Sequence, residues 1–206
     1  FAVPEHWLRY RCIDYGLDML ACYWVAIDEN GRSWVYRELY RKGLIVSDAA
    51  MAVRSHTLPG EAIQITFAPP DLWSRSRDSG KTSAEVFLQG GIPLVRADNN
   101  RVQGHLQIKE LLSPMPDGRP GMVRFDACKH LMDDIQAIQV GEKNPRDCAK
   151  QPHAGTHSVD SIRYYSVSRK LLTETAQAPE EPDEFAPLRY EELMTGGHAD
   201  TSYVNY

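Results

Sequence analysis

Three aspartates stand beside predicted strands and helices of this 206-residue chain, at places where carboxylates can do metal-dependent chemistry. Asp14 ends a β-forming run over residues 8–15, and Asp71 directly follows a second such run over residues 62–68. Asp160 lies near the start of the last predicted helix. Three carboxylates at one point would repel one another unless divalent cations lay between them. Two such ions about 4 Å apart can activate a water molecule and stabilise the leaving oxygen in phosphodiester hydrolysis.

Each aspartate also has an ordinary structural explanation. Acids are common in turns at strand ends, and at helix starts they cap the backbone and complement the helix dipole. The metal-site interpretation depends on the first and fourth strands being parallel neighbours. Asp14 and Asp71 would then lie at one edge of the sheet, and a helix packed across that edge could bring Asp160 to the same point. The sequence therefore predicts a carboxylate cluster suited to Mg²⁺, which prefers oxygen ligands.

His157 is the fourth candidate for the site. It precedes Asp160 by three residues, so the two side chains share one face of the predicted helix. A histidine there could ligate a metal or assist proton transfer near neutral pH. A capping or surface histidine is the alternative.

The elements that must position these residues form a predicted mixed α/β sheet. Three antiparallel strands come first, over residues 8–15, 19–28 and 33–41, with Asn30-Gly31 as the left-handed pair of a tight hairpin turn. Strands over residues 62–68, 92–96 and 121–125 then alternate with helices over about 48–58, 80–90, 101–112, 127–139 and 157–170. Ser47 is the predicted N-cap of the first helix. This order predicts an α/β, RNase H-like fold, in which three antiparallel strands are followed by parallel strands and flanked by helices.

Charge and composition divide the chain into a body and a tail. Residues 1–170 are predicted to form one domain, and residues 171–206 an acidic tail, rich in Pro and Glu, that is a linker or disordered. The whole chain has a net charge of −5; residues 171–206 contribute −7, and the body contributes +2. The acidic net charge of the whole chain is therefore no argument against a nucleic-acid partner. No apolar run approaches the roughly 18 residues of a membrane span. Because the chain begins at Phe1 without Met or a signal pattern, we interpret it as a fragment of a longer protein.

The four cysteines form no CxxC pair and suit reduced thiols in a core. A set that combines Cys128, His130, Cys148 and His153 has the ligand types of a zinc site. Its spacings fit no standard zinc module, so we do not expect zinc there.

Basic side chains near Asp71 are candidates for contacts with DNA phosphates. Arg75, Arg77 and Lys81 follow this aspartate in a polar loop, and Arg101 begins a basic stripe along one helix face. Such contacts would be independent of DNA sequence and sensitive to salt. A solvated surface is the alternative for each group.

Six short stretches resemble, in the expected order, the nuclease half of phage terminase large subunits. They are residues 11–16 (RCIDYG), 36–40 (YRELY), 68–73 (APPDLW), 97–102 (ADNNRV), 144–150 (NPRDCAK) and 156–164 (THSVDSIRY). Each stretch is short, but the ordered set extends from about residue 8 to residue 170 and is specific as a set.

The resemblance implies an RNase H-like endonuclease that cleaves concatemeric double-stranded viral DNA, with low sequence specificity, during genome packaging. It also implies a two-metal site for Mg²⁺ or Mn²⁺, with Asp14, Asp71 and Asp160 as the ligands and catalytic acids. His157 matches a histidine that accompanies the third acid in some members of the family. Other members place a second acid beside the third, and this chain does not.

Partners follow from the same resemblance. They are double-stranded DNA, a terminase ATPase domain, the small terminase subunit and the portal protein, with no membrane, and the implied location is the host cytoplasm at the portal of the procapsid. The stretch Arg77–Thr82 is superficially similar to the end of a phosphate-binding loop, but Arg75 stands where that pattern needs glycine. We therefore expect no ATP hydrolysis by this chain.

Two other interpretations stay open. One is a different RNase H-like nuclease, such as a junction resolvase, which would prefer branched DNA. The other is a docking module that binds the portal and does no chemistry. Asp18, Asp28 and Asp98 are possible further acids of the cluster, and the sequence does not place them.

Overall fold

The computed structural model describes residues 2–76, 80–141, 147–149 and 155–177, with the side chains of the last helix described as far as Arg169. In this part of the chain the strands are β1 (Leu8–Tyr15), β2 (Met19–Ile27), β3 (Ser33–Lys42), β4 (Ile63–Ala68), β5 (Val95–Arg96) and β6 (Met122–Arg124). The helices are α1 (Val46–His56), α2 (Ser83–Gln89), α3 (Arg101–Leu112), α4 (Lys129–Ala137) and α5 (His157–Gln177), with a short 3-10 helix over Pro70–Trp73.

The strands form one mixed sheet in the order β5-β4-β1-β2-β3-β6. β2 is antiparallel to both β1 and β3, and short loops join the three strands. β4 is parallel to β1, β5 to β4, and β6 to β3. The prediction of three antiparallel strands followed by parallel strands is therefore confirmed.

Helices cover both faces of the sheet. Alternate residues of β1 point to opposite faces, so Ile13 packs with α1 and α2, whereas Cys12 packs with α3, α4 and α5. β2 is buried along nearly its whole length, as its continuous apolar sequence predicts for a central strand. The sheet thus separates two hydrophobic cores, and α5 lies across the face of β1, β2 and β4.

The β2–β3 connection differs from the predicted tight turn. Gly31 adopts a left-handed backbone with φ of 79°, but no described residue other than glycine has a positive φ, so Asn30 does not form a left-handed pair with it. The Asp28 carboxylate takes over the ordering of this turn, because Oδ1 accepts hydrogen bonds from the backbone N–H groups of Asn30 and Arg32. The predicted position of the turn is confirmed, but the predicted left-handed Asn30-Gly31 pair was wrong.

Two helix starts also differ from prediction. α1 begins at Val46 with Ile45 at the N-cap and no side-chain cap hydrogen bond, so Ser47 is not the cap. The apolar side chain of Val46 packs against the core, which favours an earlier start. α2 begins three residues later than predicted, where Thr82 and Glu85 form a reciprocal capping box.

The C-terminal helix extends past the predicted domain boundary. α5 continues to Gln177 rather than ending near residue 170, and the remainder of the predicted acidic tail, residues 178–206, lies outside the described residues. No helix among the described residues is both long enough and apolar enough to cross a membrane. The cysteines are free thiols, and three of the four are buried.

Gly104 lets α3 and α5 approach each other closely. A Cβ atom at this position would lie 2.2 Å from Cγ of Arg163 and 3.1 Å from a methyl carbon of Val167. Both neighbours belong to α5, so the space that a side chain would need is filled by that helix.

Candidate active site

β1 and β4 carry the first two predicted acids to the same edge of the sheet. The two strands are parallel neighbours, with Cys12 opposite Phe67. Asp14 lies two residues beyond Cys12, and Asp71 follows β4 in the short 3-10 helix, where it is exposed. The parallel arrangement on which the cluster prediction depended is therefore present.

His157 connects this edge to the start of α5. The residue is only 4% exposed, and its Nδ1 lies 2.8 Å from Oδ2 of Asp14. Its Nε2 lies 3.2 Å from Oδ2 of Asp18, which follows β1 in the connection to β2. A protonated imidazole would donate to both carboxylates, because an ionised carboxylate only accepts hydrogen bonds. Asp18, which the sequence did not place, is thus a neighbour of the site.

Burial and neighbouring charges shift the pKa values of Asp14 and His157. Burial raises the pKa of Asp14; the hydrogen bond from His157 opposes that shift, and the charges of Asp160 and Asp71 add to it. The hydrogen bond to Asp14 raises the pKa of His157 more than burial lowers it, and the charge of Asp18 contributes. The three predicted aspartates are therefore close enough to interact electrostatically, although Asp71 lies in solvent.

Asp160 lies in the first turn of α5, where two arginines hold it. Its Oδ1 accepts hydrogen bonds from Arg163 Nε at 2.9 Å and from Arg101 Nη1 at 3.1 Å. Arg163 is 1% exposed, and its Nη2 donates to the side chain of Asn99. Sequence reasoning assigned no role to Arg163 or Asn99. The spacing of three residues between Asp160 and Arg163 was the available signal for this helical ion pair.

Arg101 lies in an intramolecular network. Besides Asp160, its guanidinium contacts both carboxylate oxygens of Asp147 at 3.2 Å and the thiol of Cys148 at 3.1 Å. Binding a DNA phosphate would compete with these partners. The predicted DNA contact of Arg101 stays a prediction.

The predicted basic loop is only partly described. Arg75 is exposed and its backbone bridges to Thr82, while Lys81 is also exposed. Arg77 lies outside the described residues. The loop is therefore closed at its base, next to Asp71, and its phosphate contacts stay predictions.

His105, Asp147 and Cys148 are the one set of three possible ligands in the described residues whose ligand atoms all lie within 4.8 Å of one another. The predicted aspartates are more widely spread than this. Arg101 already contacts Asp147 and Cys148, so a cation would have to displace a guanidinium. We assign no metal to this trio.

The zinc-like set considered in the sequence is not assembled in the described structure. Cys128 is buried against the backbone of Val35, whereas His130 stacks on Tyr40 with ring centroids 4.3 Å apart. Cys148 lies instead beside α3, and His153 falls outside the described residues.

The other two unplaced acids do not join the cluster through any contact of the described residues. Asp28 follows β2 at the opposite edge of the sheet, where it orders the β2–β3 turn. Asp98 is exposed and accepts a hydrogen bond from the backbone of Asn100, just before α3.

Comparisons with known proteins identify the fold. No protein-family description matches the chain, and no curated protein matches it in sequence. The structure is similar to the nuclease domain of the phage P22 large terminase, with a TM-score of 0.64 and 18% identity over 82% of this chain and 85% of that one. It is also similar to the large terminase nuclease of thermophilic phage G20c, with a TM-score of 0.57 and 13% identity over 81% and 84% of the two chains. For the large terminase nuclease domain of bacteriophage SPP1, solved with bound Mn, the values are 0.55 and 17% over 79% and 86%.

These matches define the class of fold first. The chain has an RNase H-like fold, as the sequence predicted. Within that class, its fold is that of the nuclease domains of phage large terminases, which confirms the resemblance found in the sequence.

Proposed function

We propose that this chain is a divalent-metal-dependent endonuclease that cuts concatemeric double-stranded viral DNA during genome packaging. The observation that carries the proposal is the contact between His157 and Asp14 at the edge where β1 and β4 end in parallel. Asp71 follows β4 at that edge, and Asp160 lies one helical turn beyond His157. The terminase nuclease fold supports the same conclusion.

The residues present fit Mg²⁺ or Mn²⁺. Carboxylate oxygens are the donors that these ions prefer. Burial raises the pKa of Asp14, and the charges of Asp160 and Asp71 raise it further. A bound cation would stabilise the ionised carboxylate against both effects. Asp14, Asp71 and Asp160 would hold the ions, with His157 beside them, and a metal at Asp160 would compete with the ion pair from Arg101. The chemistry that bound ions would supply there is activation of the attacking water and neutralisation of charge on the leaving oxygen.

The protein's own groups would orient that chemistry. The His157 N–H fixes one oxygen of Asp14 and leaves the other for a ligand. Arg163, buried beneath Asp160, fixes the direction of that carboxylate from the protein side. His157 can also hold or move a proton at Nδ1 or Nε2 close to the phosphate that is cut.

DNA binding would be of low sequence specificity. Arg75, Arg77 and Lys81 follow Asp71 and would contact phosphates rather than bases, so affinity should fall as salt rises. The proposed partners are a terminase ATPase domain, the small terminase subunit and the portal. The proposed place of action is the host cytoplasm, at the portal of the procapsid.

Plasmid cleavage tests the proposal. Wild type, Asp71→Asn and Glu29→Gln are incubated with supercoiled plasmid in Mn²⁺, Mg²⁺ or EDTA. Asp71 is exposed, so its substitution should leave the fold intact, and Glu29 is a matched exposed acid beyond the opposite end of the sheet. We expect metal-dependent nicking or linearisation by wild type and Glu29→Gln, and its loss in Asp71→Asn.

Two results would count against the proposal. Equal cutting by Asp71→Asn would remove that residue from the site. No cutting by wild type in either metal, together with measurable binding to a portal protein, would favour a docking module instead.

A further inference from the structure

A second concave site lies away from the candidate active site, on the face of the sheet covered by α1 and α2. It is a half-open cavity of about 620 Å³ between the end of α1, the first part of β4 and the segment that leads into β5. Small-molecule sites in proteins are of this size, about 300–1,000 Å³. None of the four predicted catalytic residues lines it.

Arg11 is the unusual residue of this cavity. It is only 3% exposed, and it lines the cavity from the middle of β1. Its guanidinium donates to the hydroxyl oxygens of Thr66 and Thr57, at distances of 2.8–3.1 Å. Among the residues that the structure describes, Arg11 forms no ion pair with a carboxylate.

These hydroxyl groups do not neutralise the cation. Arginine stays protonated in proteins and carries five N–H donors, of which three are used here. Burial lowers the pKa of Arg11, which is the sign of a charge held at a cost in a poorly solvated place. The Trp24 ring, 5.8 Å from the guanidinium carbon, supplies only a weak attraction. A buried cation of this kind is normally completed by an anion.

Glu61 also lines the cavity and is the described carboxylate whose charge acts on Arg11, but its oxygens are already used. Oε2 accepts from Arg37 at 2.6 Å and from the backbone N–H of Leu58, and Oε1 accepts from Tyr36. Glu61 therefore balances Arg37, and its charge acts on Arg11 only from a distance.

A second arginine faces the same cavity. Arg54 lies in the last turn of α1 and is exposed, and its guanidinium lies next to Gly91, 3.7 Å from where a Cβ atom would stand. Two arginines on one cavity suit a dianion better than a single charge, because each guanidinium can donate to two oxygens.

The rest of the wall is mainly apolar. The apolar lining residues are Leu58, Pro59, Ile63, Ile65, Ile92, Pro93 and Val95. Such a wall suits the flat or hydrocarbon part of a ligand, whereas the arginines suit its charged group.

We propose that this cavity binds an organic phosphate of about nucleotide size, with the phosphate at Arg11 and Arg54 and the organic part on the apolar wall. The site is independent of metal and of the proposed nuclease chemistry. It gives the domain a second ligand, bound on the opposite face of the sheet from α5.

Nuclear magnetic resonance titration in EDTA tests this proposal without involving the metal site. The probes are adenosine monophosphate, adenosine and inorganic phosphate, each added to the ¹⁵N-labelled chain. We expect saturable shifts with adenosine monophosphate, centred on the amides of Thr57, Thr66 and Ile92. Adenosine and phosphate should each bind more weakly, because each satisfies only half of the site.

Arg54→Ala is the decisive variant, because an exposed side chain can be removed without disturbing the fold. We expect its Kd for adenosine monophosphate to rise about tenfold, as for loss of a charged hydrogen bond. Arg41→Ala removes an exposed arginine of β3 and should leave the Kd unchanged. Arg11→Met should abolish binding, with its amide spectrum showing that the chain is folded.

Three results would overturn the proposal. One is the absence of saturable shifts at ligand concentrations of about 10 mM, where even weak sites fill. The second is a set of shifts centred on Asp14 and α5. The third is an unchanged Kd in Arg54→Ala. Plasmid cleavage is measured separately, so either proposal can fail while the other stands.

Discussion

Asp14 and Asp28 lie at opposite ends of the β1–β2 pair, and both side chains are largely buried, at 16% and 5% exposure. Asp28 is surrounded by donors: two backbone N–H groups reach Oδ1, and the Trp34 indole N–H reaches Oδ2 at 2.9 Å. Asp14 receives a hydrogen bond from His157 but also feels the charges of Asp160 and Asp71.

Under the proposed function, the difference separates a structural acid, Asp28, from a metal-binding one, Asp14. A carboxylate whose oxygens are matched by fixed donors stabilises the fold and needs nothing more. A buried carboxylate beside other acids is held at a cost, and that cost is recovered when a cation binds. The same residue type thus has opposite effects at the two ends of one hairpin, and substitutions can separate them.

Asp14→Asn should have the largest effect on activity and little effect on stability. Loss of a metal ligand should reduce cleavage by more than about a hundredfold, since even the partners of ligands are worth about 10–100-fold. An acid whose pKa is raised in the folded state destabilises that state when ionised, so removing its charge should not lower the melting temperature. Cleavage rates in Mn²⁺ and thermal melts in EDTA measure the two effects. A melting temperature several degrees lower would show that Asp14 is a structural acid after all.

Asp28→Asn should show the reverse pattern. One matched oxygen becomes an NH₂ group that faces a donor, which should cost about 2 kcal/mol of unfolding free energy. For a chain of this size that is about 4–8 °C in melting temperature. Cleavage measured well below the melting point should be unchanged. If cleavage fell with the fold intact, the division between the two ends would be mistaken.

Glu61 should behave like Asp28, and pH provides the measurement. Burial raises the pKa of Glu61, but hydrogen bonds from Arg37, Tyr36 and the Leu58 backbone outweigh it, so its pKa is lowered. A lowered pKa stabilises the fold above the unfolded value of about 4.3, and this contribution disappears as pH falls through the folded value. Glu61→Gln should therefore cost about 1–2 kcal/mol at pH 7, and the deficit should shrink near pH 3.5. Urea unfolding at the two pH values tests this, and an equal deficit at both would contradict the assignment.

Arg101→Gln should have the smallest effect and decide between two roles for that arginine. Its ion pair with Asp160 opposes a metal at that carboxylate. Removal should lower the Mn²⁺ concentration needed for half-maximal cutting about two- to fivefold, the worth of a partly exposed ion pair. A DNA contact would instead appear as weaker DNA binding with a reduced salt slope. That second outcome would restore the role predicted from the sequence.

The sequence carried enough information for the sheet and for the acids that end its strands. The apolar runs, the turn residues between them and their order predicted which strands are antiparallel, and the position of Asp71 after the fourth run followed directly. The residues that cap helices and order turns were predicted less well, because side-chain packing outweighed local sequence preference. Val46 rather than Ser47 begins α1, and Asp28 rather than Asn30 orders the hairpin turn.

Contacts between distant segments could not be predicted. Arg101 of α3 reaches Asp160 of α5 and also residues 147 and 148, so its contacts depend on how these pieces pack. Periodicity predicts that a helix has a buried face and does not predict which helix it meets. The Arg11 cavity was missed for the same reason, since it forms where α1, β4 and the segment before β5 converge.

Gly104, in the middle of α3, sets how closely α3 and α5 approach each other. Glycine destabilises a helix by about 1 kcal/mol relative to alanine. At Gly104 this local cost accompanies close packing of α3 against α5. A methyl group there would push Arg163 and the helix that carries it outward, and with it the carboxylate of Asp160. Displacement of a reacting group by about 1 Å can slow an enzyme about a hundredfold. We therefore expect the alignment of the proposed catalytic edge to depend on a residue that has no side chain.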